Sequence, residues 1–226
     1  MLTSEPHTAS IVGAMDPVKT SVRRERARAT RERILAVAYQ LFATRGYLAT
    51  TMPDVAAAAG VAVQTVYFVF HTKAVLLEQV YATAVLGADQ VRPIDSKWYR
   101  QAVTDPNPNQ SLATMLTGVL SIAARLAPLA ATMETIDDPQ VRAVQTEKEA
   151  LRRHLHRSYV EHLKKTRVLR RELTVDTGTD LFLGLCSPAL FHQMTVRLGW
   201  PARRWKASLY DLLRHALLRP DLTEAE

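Results

Sequence analysis

The residues best suited to chemistry in this sequence are polar and aromatic side chains between positions 63 and 73. Gln64 can hydrogen-bond the edge of an adenine in two places, and Thr65 can meet either a base edge or the methyl group of a thymine. A helix over this segment would also project Val63, Tyr67 and Phe68 away from its own support. Such a helix face is chemically suited to the major groove of DNA.

Local signals predict that this segment is the second helix of a helix-turn-helix. Thr51 can cap a first helix, and Asp54 can reach back to the Thr51 backbone N–H, with Pro53 in the first turn. Gly60 follows four alanines and suits the left-handed backbone that ends a helix. The two helices would pack through an apolar seam of Val55, Val61, Val66 and Val69.

Lys73 stands at an electrostatically unusual position. It follows Thr72, which can cap the next helix, expected to run to about Asp89, and the helix macrodipole disfavours a cation at that end. An anion such as a DNA phosphate would relieve the conflict, so we expect a phosphate near Lys73.

A cluster of arginines precedes the helix-turn-helix. It can be read as the solvated start of a charged helix, or as an arm that follows phosphates or enters the minor groove. Its members are Arg23, Arg24, Arg26, Arg28, Arg31 and Arg33. Beyond it, apolar residues recur at helical spacing from Thr30, the expected cap, to Arg45, and Tyr47 is expected inside the domain.

These motifs resemble the DNA-binding domain of TetR-type transcriptional repressors over roughly residues 28 to 80. The resemblance is carried by Arg-Glu-Arg-Ile-Leu, Leu-Phe-Ala-Thr-Arg-Gly-Tyr, Thr-Thr-Met-Pro-Asp-Val-Ala-Ala-Ala-Ala-Gly-Val, Thr-Val-Tyr-Phe-Val-Phe and Lys, in that order. The chain departs from the family at Ala62, where Ser is usual, and at Val69, where His or another polar group is common. The first departure weakens the cap of the recognition helix, and the second removes a possible phosphate contact.

The resemblance implies a homodimeric, all-α, one-component regulator. Its N-terminal three-helix domain would read a palindromic operator, and its C-terminal helical domain would bind a small molecule that releases the DNA. Gln64 and Thr65 would read bases, Thr30, Thr51, Tyr67 and Lys73 would hold phosphates, and the arginine arm would add affinity. The expected DNA-facing residues are Arg28, Thr30, Arg31, Thr51, Val63, Gln64, Thr65, Tyr67, Phe68, His71 and Lys73.

Composition is consistent with this class. The chain has 226 residues, of which 47% are hydrophobic and 23% charged, and it has eleven prolines against eight glycines. These values are typical of soluble globular proteins, and the scarcity of alternating β-branched runs favours helices. The formal net charge of +7 suits a polyanion-binding surface, although other kinds of basic protein share it.

The remaining sequence features predict a cytoplasmic protein without cofactor or metal. The lone Cys186 excludes an intramolecular disulfide and is expected to be an inert core thiol. The apolar run from Val55 to Val63 is too short for a bilayer, no N-terminal signal pattern is seen, and no membrane association is expected. His154 and His156 are not spaced to share a metal on one helix face.

The predicted organisation is a disordered tail over residues 1–22, a DNA-binding domain over 23–73 and a helical ligand-binding and dimerisation domain over 74–226. Pro128 should interrupt or kink one long helix, and Pro188 should kink another. The last two helices, about 180–198 and 201–218, are strongly apolar. They could pack within the subunit, but the resemblance implies that they form a four-helix dimer interface.

The candidate pocket lining is drawn from large side chains of the C-terminal half. A small apolar or aromatic effector would suit such a lining, although each residue is more often simply part of a core. The candidates are Trp98, Met115, Leu116, Met133, Tyr159, Phe182 and His192. The alternatives are a constitutive or architectural DNA-binding dimer without a ligand, and an enzyme with a DNA-binding head, for which we find no catalytic constellation.

Overall fold

The computed structural model describes residues 17–133 and 136–222, and side chains within 21–130 and 136–222. The described residues form helices and turns with one isolated bridge between Leu169 and Leu218, which confirms the all-α prediction. The α-helices are α1 Pro17–Arg45, α2 Met52–Ala59, α3 Val63–Phe70, α4 Lys73–Leu86, α5 Lys97–Thr104, α6 Pro108–Met133, α7 Pro139–Lys165, α8 Val175–Leu185, α9 Pro188–His192 and α10 Ala202–Leu217.

The first helix begins earlier than the sequence pattern predicts. The expected cap at Thr30 is wrong, because Thr30 lies well inside α1. After Pro17 the helix contains neither glycine nor proline, and Arg28 pairs with Glu32 one turn on at 3.7 Å. Residues 17–22 of the predicted tail are therefore helical, and residues 1–16 lie outside the described part of the chain.

The helix-turn-helix is confirmed in detail. Thr51 caps α2 in a capping box with Asp54, and Gly60 ends the helix in the left-handed conformation, with φ of 63°. The axes of α2 and α3 are inclined at 113° to each other. Val55 and Val66 are fully buried between the helices, as the apolar seam predicts.

The predicted helix 180–198 is wrong as a single kinked element. The chain instead breaks at Cys186 and Ser187, between α8 and α9, and continues from α9 into a π-helical turn, Gln193–Arg197. Pro188 has no N–H to continue α8, and the Ser187 hydroxyl accepts the Leu190 backbone N–H at 3.1 Å, which starts a new helix. In contrast, α6 continues through Pro128 as one helix, so the interruption predicted there is not seen.

Two hydrophobic cores organise the described residues. The head core lies among α1, α2 and α3, which we call the head, and it extends beyond residue 73 into α4, the end of α6 and the start of α7. Its later members include Leu76, Leu126, Leu129 and Val141. The distal core joins α5, α6, α7, α8 and α10. Since α6 contributes to both cores, the two halves are packed continuously.

Among the residues that the structure describes, one helix is long and apolar enough to cross a membrane by composition alone. The segment Pro108–Ala130 of α6 has a hydropathy of 1.6, and 56% of the residues in its most apolar window are buried within the fold. A core helix of a soluble protein has the same properties. The apolar character of α6 is therefore accounted for by its place in both cores.

Candidate DNA-binding surface and ligand cavity

The outward face of α3 carries an exposed aromatic pair. Phe68 is 82% exposed and Tyr67 is 46% exposed, whereas Val66 and Phe70 are buried on the inner face of the same helix. Gln64 is exposed, and Val63 and Thr65 are half-buried. An exposed apolar surface beside polar groups is typical of a contact surface, and this one presents the side chains that the sequence assigned to base readout.

The start of α3 has no side-chain cap. Ala62 occupies the capping position, and no side-chain hydrogen bond satisfies the first backbone N–H groups of the helix. The predicted effect of Ala62 on the cap is confirmed. The N–H groups at this end are left to solvent or to an anion such as a backbone phosphate.

Thr51 uses its hydroxyl within the head. The hydroxyl donates to Asp54 Oδ2 at 2.6 Å, and the backbone N–H of Thr51 donates to the same oxygen at 2.8 Å. These two hydrogen bonds hold the pKa of Asp54 below its usual range. The Thr51 hydroxyl is therefore fixed in orientation, with its proton committed to Asp54.

Lys73 ties the start of α4 to the turn between α1 and α2. Its ammonium donates to the carbonyl oxygens of Tyr47 at 2.9 Å and Thr50 at 3.0 Å, and lies 4.2 Å from the centre of the Tyr47 ring. Burial lowers the pKa of Lys73, and the charge of Asp138 acts in the opposite direction. The unfavourable macrodipole at this helix start is thus offset within the protein by two carbonyl groups. The phosphate contact of Lys73 stays a prediction.

The other predicted DNA contacts lie along α1 and in the turn after α3. Arg31 donates to Gln79 Oε1 at 2.7 Å and stacks 5.6 Å from the Phe70 ring, which connects α1 to α3 and α4. Arg28 is exposed and Thr30 is half-buried. His71 is exposed and has a positive φ of 57°, in the turn that leads into α4.

Five of the predicted ligand-binding residues are parts of the distal core or pack against it. Met115, Leu116, Tyr159 and Phe182 are fully buried. The Tyr159 hydroxyl lies 3.0 Å from Ser111 Oγ, which itself donates to a backbone carbonyl, and burial raises the pKa of the phenol. These four large side chains come from α6, α7 and α8 and hold the three helices together in the distal core.

The remaining candidates do not change this picture. Trp98 is half-buried and lies over Gly118, where a β-carbon would come within 2.1 Å of the indole. His192 is half-buried, and the side chain of Met133 lies outside the described residues. None of the candidates with a described side chain lines either of the two neighbouring cavities described next.

The larger cavity lies among α4, α6 and α7 and has a volume of about 310 Å³. We call it the interhelical cavity. Its walls are mainly apolar, and the break between α8 and α9 closes one side with Cys186 and Pro188. The apolar wall residues include Val85, Leu86, Ile94, Val119, Ile122, Ala123, Leu126 and Leu155. A second cavity of about 280 Å³ shares Tyr81, Lys148 and Arg152 with it.

Polar side chains of α7 line part of the interhelical cavity, which we call its polar end. His156 is buried, and burial lowers its pKa to about 4, so the imidazole is neutral at pH 7. Its Nδ1 lies 2.7 Å from the carbonyl oxygen of Arg152, which fixes the proton on Nδ1. Within the described part of the chain, His156 Nε2 and Arg152 Nη1 are buried and have no hydrogen-bond partner.

One residue links the cavity wall to the head. Arg125 on α6 donates from Nε to the Ala84 carbonyl at 2.6 Å and from Nη2 to the Val85 carbonyl at 3.2 Å. The Arg125 carbonyl in turn accepts the Tyr39 hydroxyl of α1 at 2.8 Å. The last turn of α4, which lines the cavity, is therefore fixed to both α6 and α1.

Sequence reasoning found the apolar stripe of α4 but missed the cavity. Tyr81 and Val85 occur one turn apart on that helix, and Arg152 and His156 occur one turn apart on α7. Two polar residues at this spacing on a helix with an inner apolar face were the available signal. Among residues with described positions, no group of three His, Cys, Asp or Glu could hold a metal ion.

The sequence of the head matches a known family. The family model described as bacterial regulatory proteins, tetR family, matches residues 34–80. This range covers most of α1, all of α2 and α3, and the first half of α4. Comparison with proteins of curated function yields no match.

Solved structures share the fold over most of the chain. NalD of Pseudomonas aeruginosa, the secondary repressor of the MexAB-OprM multidrug efflux pump, has a TM-score of 0.65 and 21% identity, over 87% of this chain and 99% of its own. FadR of Bacillus subtilis, in complex with stearoyl-CoA, has a TM-score of 0.68 and 16% identity, over 82% and 98%. A transcriptional regulator of Saccharomonospora viridis, in complex with choline, has a TM-score of 0.65 and 17% identity, over 85% and 99%.

Proposed function

Because residues 34–80 match the family model of bacterial regulatory proteins, tetR family, and the fold is that of known repressors such as NalD, we propose that this chain is a repressor controlled by a small molecule. It would act in the cytoplasm, bind a palindromic operator as a homodimer, and leave the DNA when an apolar or aromatic effector occupies the interhelical cavity. The observation that carries this proposal is the position of α4. Its first residue ties the head together, and its last two turns form a wall of the cavity.

Recognition of DNA is assigned to the outward face of α3. Gln64 and Thr65 would read base edges, and Tyr67 and Phe68 would add phosphate and apolar contacts. The exposed arginines of α1, Arg28 among them, would add affinity that does not depend on sequence. Lys73 would act chiefly by holding the head rigid, since its ammonium is occupied by two carbonyl groups.

Control by an effector follows from the packing of α4. A molecule among Tyr81, Val85 and Leu126 would press on α4 and α6 together. Arg125 fixes the end of α4, so movement there would be passed to α1 through the Tyr39 hydroxyl and to the head through Lys73. Two heads that change their separation no longer match half-sites one helical turn apart.

Dimerisation is assigned to the outward faces of α8 and α10. Leu181 is 37% exposed and Leu212 is 53% exposed, and both lie on helices that contact each other within the subunit. Exposed leucines on two adjacent helices suit an isologous four-helix interface with a second copy of the chain. Of the predicted segment 180–198, the part in α8 would contribute most directly.

The proposal is tested by selecting genomic fragments with the purified protein and measuring their binding by gel shift at two salt concentrations. We expect a short inverted repeat to be enriched. Gln64→Ala should relax the preference at one base position by about 1–3 kcal/mol, whereas Tyr67→Phe should weaken binding to all sequences alike. Gln101→Ala, at an exposed site on α5, is the matched control and should change neither.

Two outcomes would contradict the proposal. Binding that ignores sequence and fades steeply with salt would favour an architectural DNA-binding protein. The operator complex could also stay intact with every compound that calorimetry shows to bind the protein. That result would rule out control by an effector and leave a constitutive DNA-binding dimer.

A further inference from the structure

We infer that the effector is an uncharged molecule with an apolar body and one hydroxyl group, a phenol or an alcohol, whose hydroxyl binds between His156 and Arg152. The inference rests on the proposed function, since it names the chemistry of the molecule that the interhelical cavity would take. It is carried by the charges at the cavity, the hydrogen-bonding atoms at its polar end, and its apolar walls.

The cations at the cavity are already neutralised. Three cationic side chains line it, and each has a carboxylate partner on a neighbouring turn or helix. The pairs are Arg92 Nε with Asp95 at 2.6 Å, Lys148 Nζ with Glu78 at 3.7 Å and Glu147 at 3.5 Å, and Arg152 with both oxygens of Glu149 at 3.0 Å. An anionic ligand would have to compete with these carboxylates, so the site does not favour a full negative charge.

The two unpartnered buried atoms have opposite hydrogen-bonding roles. His156 Nδ1 donates to a carbonyl, so Nε2 of the neutral ring is a lone-pair acceptor that needs a donor. Arg152 Nη1 carries only N–H groups and needs an acceptor, because Nε and Nη2 already bind Glu149. Both residues line the interhelical cavity and lie one turn apart on α7.

A hydroxyl group meets both requirements with one oxygen atom. It can donate its proton to His156 Nε2 and accept an N–H from Arg152 Nη1. A carboxylate or an ether has no proton to donate, and an ammonium has no lone pair to accept. Leaving a buried polar atom unsatisfied is costly, so the site should discriminate strongly against molecules that lack either role.

The walls define the rest of the molecule. Val119, Ile122 and Leu126 from α6 face Val85 and Leu86 from α4 across the cavity. A volume of about 310 Å³ is near the lower end for ligand sites and suits one ring with a short alkyl chain. Such a body would contact α4 and α6 while its hydroxyl binds α7.

The test compares three probes of the same shape: 4-pentylphenol, 4-pentylanisole and 4-pentylbenzoate. Binding to the full-length protein is measured by titration calorimetry at pH 7.5, and operator release is measured by gel shift with each probe. We expect 4-pentylphenol to bind about tenfold more tightly than the ether or the benzoate, which corresponds to one lost hydrogen bond. We expect operator release to follow the same order.

Variants on α7 localise the preference. His156→Leu should reduce the preference for the phenol over the ether to about twofold or less, because only the phenol has a proton to donate to Nε2. Arg152→Met should weaken the phenol and the ether alike, each by about tenfold, because both present an oxygen that can accept from Nη1. The matched controls are Arg153→Met and His162→Leu on the same helix, which do not line the cavity and should keep the full preference. If His156→Leu does not fold, Arg152→Met and the wild-type comparison of probes still decide the result.

Failure of the inference can be told apart from failure of the proposed function. If the ether or the benzoate binds as tightly as the phenol, or if none of the three binds, the hydroxyl inference is overturned. Release of the operator by a compound of another class would then leave the proposed function standing. An unchanged affinity for the phenol in Arg152→Met would also overturn the assignment to this end of the cavity.

Discussion

The outward face of α3 and the interhelical cavity are built in opposite ways. On α3, large apolar groups such as Phe68 point outward, while the supporting Lys73 and Thr51 have their hydrogen bonds satisfied inside the head. In the cavity, apolar groups are enclosed and two polar atoms, on Arg152 and His156, are buried without partners. A surface of the first kind suits a large polar partner, and an enclosed space of the second kind suits a small amphipathic molecule.

The largest expected effect is a loss of stability, and it should distinguish the buried face of α3 from its exposed face. Phe70→Ala should lower the free energy of unfolding by about 3–5 kcal/mol, because the ring is fully buried in the head core. Phe68→Ala, two residues away, should change it by less than about 0.5 kcal/mol and weaken DNA binding instead. Urea denaturation and gel shift measure the pair. Equal stability losses in both variants would mean that Phe68 is a core residue.

The second prediction concerns the cavity, where burial of His156 should make the stability of the protein depend on pH. His156 has a folded pKa of about 4, well below the usual value of 6.5, so the unfolded chain binds its proton first. Its contribution to stability is complete above pH 6.5 and is lost as the pH falls towards 4, at on the order of 1.4 kcal/mol per pH unit. Urea denaturation across this range should show a shallower fall for His156→Gln. Parallel curves would show that His156 is not buried in neutral form.

Gly118 tests the distal core without touching the head. A β-carbon there would come within 2.1 Å of the Trp98 indole, so Gly118→Ala should lower the free energy of unfolding by about 1–3 kcal/mol. The neighbouring Thr117→Ala, at an exposed site of α6, is the control and should be nearly neutral. Thermal denaturation checks both, and a neutral Gly118→Ala would contradict the packing of Trp98 on α6.

The smallest effect concerns the tie made by Lys73. Lys73→Met removes two charge-assisted hydrogen bonds to carbonyl groups and should cost about 1–2 kcal/mol of stability, with a uniform loss of affinity for all DNA sequences. Lys97→Met is the control, because Lys97 also follows a helix cap but is exposed. A loss of DNA affinity with no loss of stability would restore a direct phosphate contact for Lys73.

The head was largely predictable because its signals are local. Thr51 caps the chain three residues before Asp54, and Gly60 directly follows the helix that it ends, so spacing alone identifies the turn. The prediction failed where two local rules competed. Thr30 is a good cap by type, but an unbroken run of helix-forming residues before it extends α1 to Pro17, and Ser187 as a cap converts the expected kink at Pro188 into a break.

The cavity was not predictable because it depends on contacts between distant segments. Val85, Ile122 and Leu155 each belong to an apolar stripe that is typical of any core helix. Nothing in a single stripe tells whether neighbouring helices fill the space in front of it. Of the residues proposed from their size, Met115, Leu116, Tyr159 and Phe182 fill the distal core and Trp98 packs against it. The actual lining came mainly from smaller aliphatic groups that leave room.

The continuity of α6 through both cores limits how the head can be exchanged between related regulators. Leu126 and Leu129 complete the head core, so a head cut off after α4 would lose part of its own interior. A hybrid regulator that joins this head to another protein's C-terminal half would inherit foreign side chains at those positions. Grafts that carry the last two turns of α6 and Val141 of α7 along with the head should therefore fold and still respond to an effector. Grafts divided at residue 73 should fold poorly.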